Sequence, residues 1–337
     1  MKKIKSLCLI ATLSAMVTGG SLLQSSPAYA ATTIHVSEGG TSLSQALASA
    51  KPGDTVLIDG TVHSQPVKVP AGIVLMGGGE GNFGVIDFSG SSGSNARGLT
   101  INTDGSTIAN LEILNAGDNG IYMEGSYNTL QSLWVHNNQD AGVQLSNGAA
   151  NNNLTSIISY YNADAAGENA DGFAIKLHSG EGNVLTDCTA QENSDDGYDL
   201  YAAHGAVQFI RCKAIANGYY NGIYGDGNGF KVGGVDNKTP NVPAHLDPLN
   251  HVLIDCVAQS NLAAGFDRNN QSGVVTMQNC IGQDNGKGNF NFPATGTPSA
   301  LKKKVTFGRA IIDSCTSIGG GANNITGADL QGECTGF

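Results

Sequence analysis

Along much of this chain a bulky residue follows directly on a glycine, and the pair recurs at intervals far longer than a helical turn. It is found at Gly120-Ile121, Gly142-Val143, Gly172-Phe173, Gly197-Tyr198, Gly229-Phe230 and Gly265-Phe266. A second series runs in step with it. Cys188 and Cys212 are 24 residues apart, as are Cys256 and Cys280, and five residues after each stands an asparagine: Asn193, Asn217, Asn261 and Asn285. Asn138 and Asn162 continue the series upstream, with Leu133 and Ile157 in the cysteine positions. A period of about 22–25 residues, filled by short strands and Asn/Gly turns, is the signature of a solenoid. Leucine-rich repeats share the period, but their L-x-x-L-x-L pattern and helical segments are missing. The pattern predicts an all-β chain: a right-handed, single-stranded parallel β-helix, with each coil stacked about 4.8 Å above the last.

Stacking gives the columns a purpose. An inward asparagine can hydrogen-bond to the one a coil away, satisfying amides that would otherwise cost about 1–3 kcal/mol each when buried. The cysteines read as small apolar residues filling one buried column; disulfides are the alternative, with Cys315 and Cys334 the first candidates. No CxxC pair points to zinc. An open solenoid end needs a cover, and residues 42–50 have the pattern of a short capping helix. Ser42 and Gln45 stand at capping-box spacing, and Lys51-Pro52-Gly53-Asp54 ends the run before the strand from Thr55 to Ile58. The register breaks twice, at residues 163–170 and 218–250. Long loops on a rigid scaffold are where function concentrates.

Composition sharpens this picture. With 47 Gly and 32 Asn among 337 residues, a helical bundle is excluded. Lys2, Lys3 and Lys5 precede an apolar run from Leu7 to Val17, and Ala28-Tyr29-Ala30 follows as an A-x-A site. This is the pattern of a secretory leader, 1–30, too short to span a bilayer comfortably. The expected product is an exported, monomeric β-helix of residues 31–337, free of the membrane. The formal charge is −11, and loss of the leader would remove three lysines and no acid, giving −14. Such a protein is a poor ligand for nucleic acid. If its substrate is a polyanion, the positive charge must be supplied locally.

Chemistry gathers on a few coils. Counting the recurring glycine as position zero, Asp171 and Asp196 stand at −1, and Asp199, Lys231 and Asp267 at +2. The bulky +1 residues are expected to point inward, so the +2 residues point out. Asp171 then lies one coil from Asp196, and Asp199 one coil from Lys231. Asp195 adds a fourth carboxylate. Such a set repels itself unless a cation lies within it, and hard oxygen ligands suit Ca²⁺; solvated turn acids are the plainer reading of the same spacing.

The segments Ala170-Asp171-Gly172-Phe173-Ala174-Ile175-Lys176, Ser194-Asp195-Asp196-Gly197-Tyr198-Asp199-Leu200 and Gly227-Asn228-Gly229-Phe230-Lys231-Val232-Gly233-Gly234 resemble the pectate lyases of polysaccharide lyase family 9. The likeness runs from about residue 35 to residue 300, with the three motifs in family order. It implies a β-helix with an asparagine ladder that cleaves polygalacturonate by calcium-dependent β-elimination. By the same resemblance Asp171, Asp195, Asp196 and Asp199 would hold Ca²⁺, and Lys231 would be the base. Arg268, one coil beyond Lys231, is expected to pair with a substrate carboxylate or with Asp267. Lys176 reads as a structural partner of the acids. Rival readings are a polygalacturonase with Asp195 and Asp196 as acid and base, a lyase on another uronate polymer, and a non-catalytic glycan-binding β-helix or adhesin. The hydrolase patterns Gly-His-Gly and Arg-Ile-Lys are absent from the sequence.

Overall fold

The computed structural model describes residues 30–78 and 83–337, so the expected leader through Tyr29 lies outside the described residues. Its strands are short because each coil must turn corners. Even the eight-residue strands Thr107–Leu114, Thr129–His136 and Asn153–Tyr160, paired in parallel, bend in the middle. The bends are Asn110, Ser132 and Ser156, all with positive φ, and later coils repeat the corner at Asp187, Arg211, Asp255, Asn279 and Ser314. A left-handed residue with a β-carbon costs about 1–2 kcal/mol, so something must hold each corner in place. One contribution is apolar. The residue after each bend, from Leu111, Leu133 and Ile157 through Cys188, Cys212, Cys256, Cys280 and Cys315, is wholly buried in one column. All six cysteines from Cys188 to Cys334 are free thiols, so the column reading holds and the Cys315–Cys334 disulfide is not formed.

The second contribution is polar. Asn137, Tyr161, Glu192, Ala216, Ser260 and Asp284 form another left-handed corner, and the next residue in each case is a ladder asparagine. The Nδ2 of Asn138, Asn162, Asn193, Asn217 and Asn261 each donates to the Oδ1 of the next asparagine at 2.9 Å. Their backbone N–H groups donate to the same oxygens. A second, shorter ladder, which the sequence reading did not anticipate, runs from Asn128 to Asn152 to Asn183 at another corner.

Next to the main ladder stands the recurring glycine. A β-carbon on Gly120, Gly142, Gly172, Gly197, Gly229 or Gly265 would come within 2.6–2.9 Å of a ladder amide nitrogen. The +1 residues after these glycines pair coil to coil in a nine-stranded parallel sheet. Phe173, Tyr198, Phe230, Phe266 and Phe290 stack along its inner face with ring centroids 4.5–5.1 Å apart. A 19-stranded parallel sheet supplies the other walls, and two short antiparallel hairpins, Tyr219–Tyr220 with Ile223–Tyr224 and Thr295–Gly296 with Val305–Thr306, stand apart from both.

The cap forms as expected. The helix Leu43–Ser49 has Ser42 as N-cap with the full capping box, and it buries Leu43, Ala46 and Leu47. The first rung differs: the strand Thr33–Ser37 precedes the helix and pairs in parallel with Thr55–Asp59, so the solenoid begins before its cap. Among the described residues no helix is long and apolar enough to cross a membrane.

Replacing Asn217 by Ala would strip the Asn193 backbone N–H and amide of their acceptor and leave the Ala190 carbonyl without its donor. We expect Asn217→Ala to lose about 2–3 kcal/mol in urea unfolding, with the β-rich circular dichroism spectrum retained. An unchanged urea midpoint would mean that the ladder carries no stability.

Candidate functional site

The outer face of the nine-stranded sheet carries the +2 residues, and parallel register sets Asp199 opposite Lys231. Asp196 and Asp171, at −1, sit where the chain enters successive strands, and the Asp196 N–H donates to Asp171 Oδ1 at 3.2 Å. The four expected aspartates and Lys231 are therefore brought together, as the spacing predicted. Ligand atoms of Asp171, Asp196 and Asp199 lie within 4.8 Å of one another, and so do those of Asp195, Asp196 and Asp226. Asp196 belongs to both groups.

Two ammonium groups are threaded through these acids. Lys176 Nζ lies 2.6 Å from Asp171 Oδ2 and 3.3 Å from Asp199 Oδ2, the structural pairing expected of it. Lys231 Nζ lies 2.9 Å from Asp196 Oδ2, 3.0 Å from Asp226 Oδ2 and 3.9 Å from Asp199 Oδ1. Backbone donors hold the carboxylates in place: Asp226 N–H to Asp195, Asn228 N–H to Asp196 and Tyr201 N–H to Asp199. The first two come from the long 218–250 segment, which folds its hairpin Tyr219–Tyr220/Ile223–Tyr224 over these coils.

Five carboxylates share two ammoniums, and four of the five are buried. Burial pushes Asp195 up to about 8 and Asp196 up to about 6, with the neighbouring acids adding to Asp195 and Lys231 opposing the rise of Asp196. Asp171 is likewise raised by burial, against the pull of Lys176. Asp199 is buried too, but Lys231 and Lys176 outweigh that and hold it below its usual range. Burial alone would favour a neutral Lys231, yet Asp199, Asp196 and Asp171 overcome it and keep the ammonium charged. The Lys231 ammonium is the one partner of Asp196 Oδ2 among the described residues, at 2.9 Å. Surplus buried negative charge and an oxygen-only donor set fit a hard divalent cation.

A groove of about 490 Å³ adjoins the cluster, lined among others by Arg97, Asp118, Asp140, Gln144, Asn169 and Lys176. Arg97 lies over the Tyr122 ring at 3.4 Å from its centroid. The sequence reading missed it, though it precedes Gly98-Leu99 and so occupies the −1 position of the coil before Gly120. Extending the glycine series by one coil would have found it.

Arg268 is a correction. It is fully buried, with Nη1 donating to the carbonyls of Gln271 and Gly308 and Nη2 to that of Gly327. Phe292 and Phe307 flank the guanidinium at 5.5 and 5.3 Å. Arg268 stands at +3, in the column of Met123, Leu145, Ile175, Leu200 and Val232, all buried. Alternation that turns Asp267 outward turns its neighbour inward. The residue braces the interior and offers nothing to a substrate or to Asp267.

The chain matches a family model described as Pel9A-like, right handed beta helix region, over residues 24–304. It is 36% identical over 283 residues to "Pectate lyase L" of Paenibacillus polymyxa (strain SC2), covering 74% of this chain and 60% of that protein. It is 32% identical over 267 residues to "Pectate lyase L" of Dickeya chrysanthemi, covering 73% and 60%. This chain thus spans about 60% of the length of these curated relatives. Among solved structures, that of pectate lyase Pel9A superposes with a TM-score of 0.73 at 26% identity, over 88% of this chain and 78% of that one. A rhamnogalacturonan lyase reaches the same TM-score at 21% identity, covering 86% and 81%, and shares the fold.

The raised acids set a pH dependence for the metal-free protein. Unfolded aspartate titrates near about 4, so between that pH and about 8 the native state holds more protons at Asp195 than the unfolded one. Stability should therefore fall as pH rises through this window. In chelator, the calorimetric midpoint is expected to drop from pH 4 towards pH 8, and less steeply in Asp195→Asn. Parallel wild-type and Asp195→Asn profiles would contradict the assignment.

Proposed function

The chain belongs to the Pel9A-like right-handed β-helix family, and from that premise we propose that it is a calcium-dependent pectate lyase acting on de-esterified polygalacturonate. The observation that carries the reading is the Asp171, Asp196 and Asp199 cluster with Lys231 Nζ 2.9 Å from Asp196. Lys231 is the proton acceptor. Its amine removes the proton at C5 of a galacturonate unit, the electron pair forms a C4–C5 double bond, and the C4 glycosidic bond breaks. The departing oxygen takes its proton from solvent. Held by Asp171, Asp195, Asp196 and Asp199, Ca²⁺ would supply the positive charge that offsets the substrate carboxylate.

Lys231 can act as a base only when the acids around it are otherwise engaged, because their field keeps it protonated. Ligation of a dication by those acids meets that condition. Asp226 holds the ammonium from the solvent side and is largely exposed, so it can yield its place. The groove beside the cluster is the expected bed for the chain of sugars, with Arg97 on its wall. With the leader removed, the enzyme is expected to work outside the cell as a monomer.

Elimination leaves an unsaturated uronate that absorbs ultraviolet light, whereas hydrolysis leaves only reducing ends and a binding module yields neither. Absorbing product is expected from polygalacturonate, less from highly methylated pectin, and none in chelator, with the circular dichroism spectrum nearly unchanged. Full turnover in chelator would remove calcium from the reaction.

Lys231→Ala should cut turnover by at least about 100-fold, with Ca²⁺ binding and fold retained. A Lys231→Ala enzyme that keeps most of its turnover would sink the assignment of the base.

A further inference from the structure

Three imidazoles and two carboxylates converge away from the acid cluster, at the other end of the same strands. His178 and His204 follow the strands Phe173–Ile175 and Tyr198–Asp199 on adjacent coils, with ring centroids 4.6 Å apart. Asp236, His245 and Asp247 come from the 218–250 segment, whose role the sequence left open. There Asp236 and His245 exchange backbone hydrogen bonds of 2.9 and 3.0 Å, an antiparallel bridge that sets both side chains on one side.

His204 Nε2 lies 3.0 Å from Asp236 Oδ2 and 3.8 Å from Asp247 Oδ2. His245 Nε2 lies 3.8 and 3.6 Å from the same two oxygens. One ligand atom from each of the four residues fits within 4.8 Å of all the others. A tetrahedral cation with bonds of about 2.0–2.1 Å holds its ligands about 3.3 Å apart, and the four cross-distances bracket that value. Mixed imidazole and carboxylate donors suit zinc and its neighbours, whereas calcium takes oxygen alone.

The outer atoms of two of these residues are held in place by the backbone. His245 Nδ1 lies 3.0 Å from the Pro243 carbonyl oxygen, which can only accept, so Nδ1 carries the hydrogen. Nε2 is then the ring nitrogen turned towards the two carboxylate oxygens, where a proton or a metal cation is held equally well. A ligating histidine is commonly oriented by such a second-nitrogen contact. Asp236 is oriented in the same way, its Oδ1 accepting from the N–H groups of Lys238 and Thr239. His178 Nε2, 3.3 Å from Asp236 Oδ2 and 3.1 Å from Thr239 Oγ1, stands behind the set as an outer partner.

We propose that His204, Asp236, His245 and Asp247 form a binding site for one zinc-class divalent cation, distinct in residues and donor chemistry from the Asp171–Lys231 cluster. The ion fastens the segment from Asp236 to Asp247 to the coil that carries His204. This inference does not rest on the lyase reading.

The test uses the full, tag-free protein, stripped with chelator, dialysed and titrated with Zn²⁺ by calorimetry at neutral pH, with excess Ca²⁺ present to occupy oxygen-only sites. One equivalent should bind, His204→Ala and His245→Ala should each weaken it at least about 100-fold, and Zn²⁺ should slow proteolysis between residues 236 and 247. Asp247→Asn serves if either histidine variant fails to fold. No zinc binding, binding indifferent to these substitutions, or binding abolished by Asp195→Asn instead would overturn the proposal.

Discussion

The contact between a ladder amide and a glycine α-carbon is the constraint on which the rest of this molecule depends. Each ladder asparagine closes a left-handed corner and hands its Oδ1 to the coil before it. The space its Nδ2 occupies leaves room for no β-carbon on the glycine alongside. That glycine opens the strand of the nine-stranded sheet, so the ladder fixes where six of its nine strands begin. Position −1 and position +2 are then determined, and with them the meeting of Asp171, Asp196, Asp199 and Lys231. A candidate site assembled from three coils inherits its alignment from uncharged amides on the inside of the wall.

The site itself is built against its own electrostatics. Four buried aspartates stand within reach of two lysines, and burying a charge costs several kcal/mol unless it is paired. The structure offsets this with backbone N–H donors aimed at the carboxylates and with ammoniums at 2.6 and 2.9 Å. The pairing remains incomplete, as the elevated Asp171, Asp195 and Asp196 show. A lysine and a group of acids placed this close control each other's charge. Whatever engages the acids also frees the amine.

Much of this was legible in the sequence because a solenoid converts three-dimensional neighbours into fixed spacings. The Cys–Asn and Gly–bulky series located the columns, and aligning coils on the glycine placed four aspartates beside Lys231 before any coordinates. What failed had a local cause. Arg268 was judged by its distance from Lys231 along the stack, whereas its +3 position puts it in an apolar column. The strand Thr33–Ser37 lies before the capping helix and has no glycine or asparagine of the series to mark it. The histidine cluster was invisible because Asp236, His245 and Asp247 lie in a segment without period, where only a folded backbone can say what meets His204.

The ladder bonds have a consequence for chain length. Successive main-ladder asparagines are separated by 24, 31, 24, 44 and 24 residues, yet every amide-to-amide bond measures 2.9 Å. Contour and pitch are thus decoupled: as many as twenty additional residues leave the wall at a corner and return without disturbing the step to the next coil. The corners between Asn162 and Asn193 and between Asn217 and Asn261 behave as ports through which a lineage can splice cargo onto a scaffold it never has to redesign. Length is therefore free to vary at these two places while the ladder step, and with it the alignment of the coils on either side, stays the same.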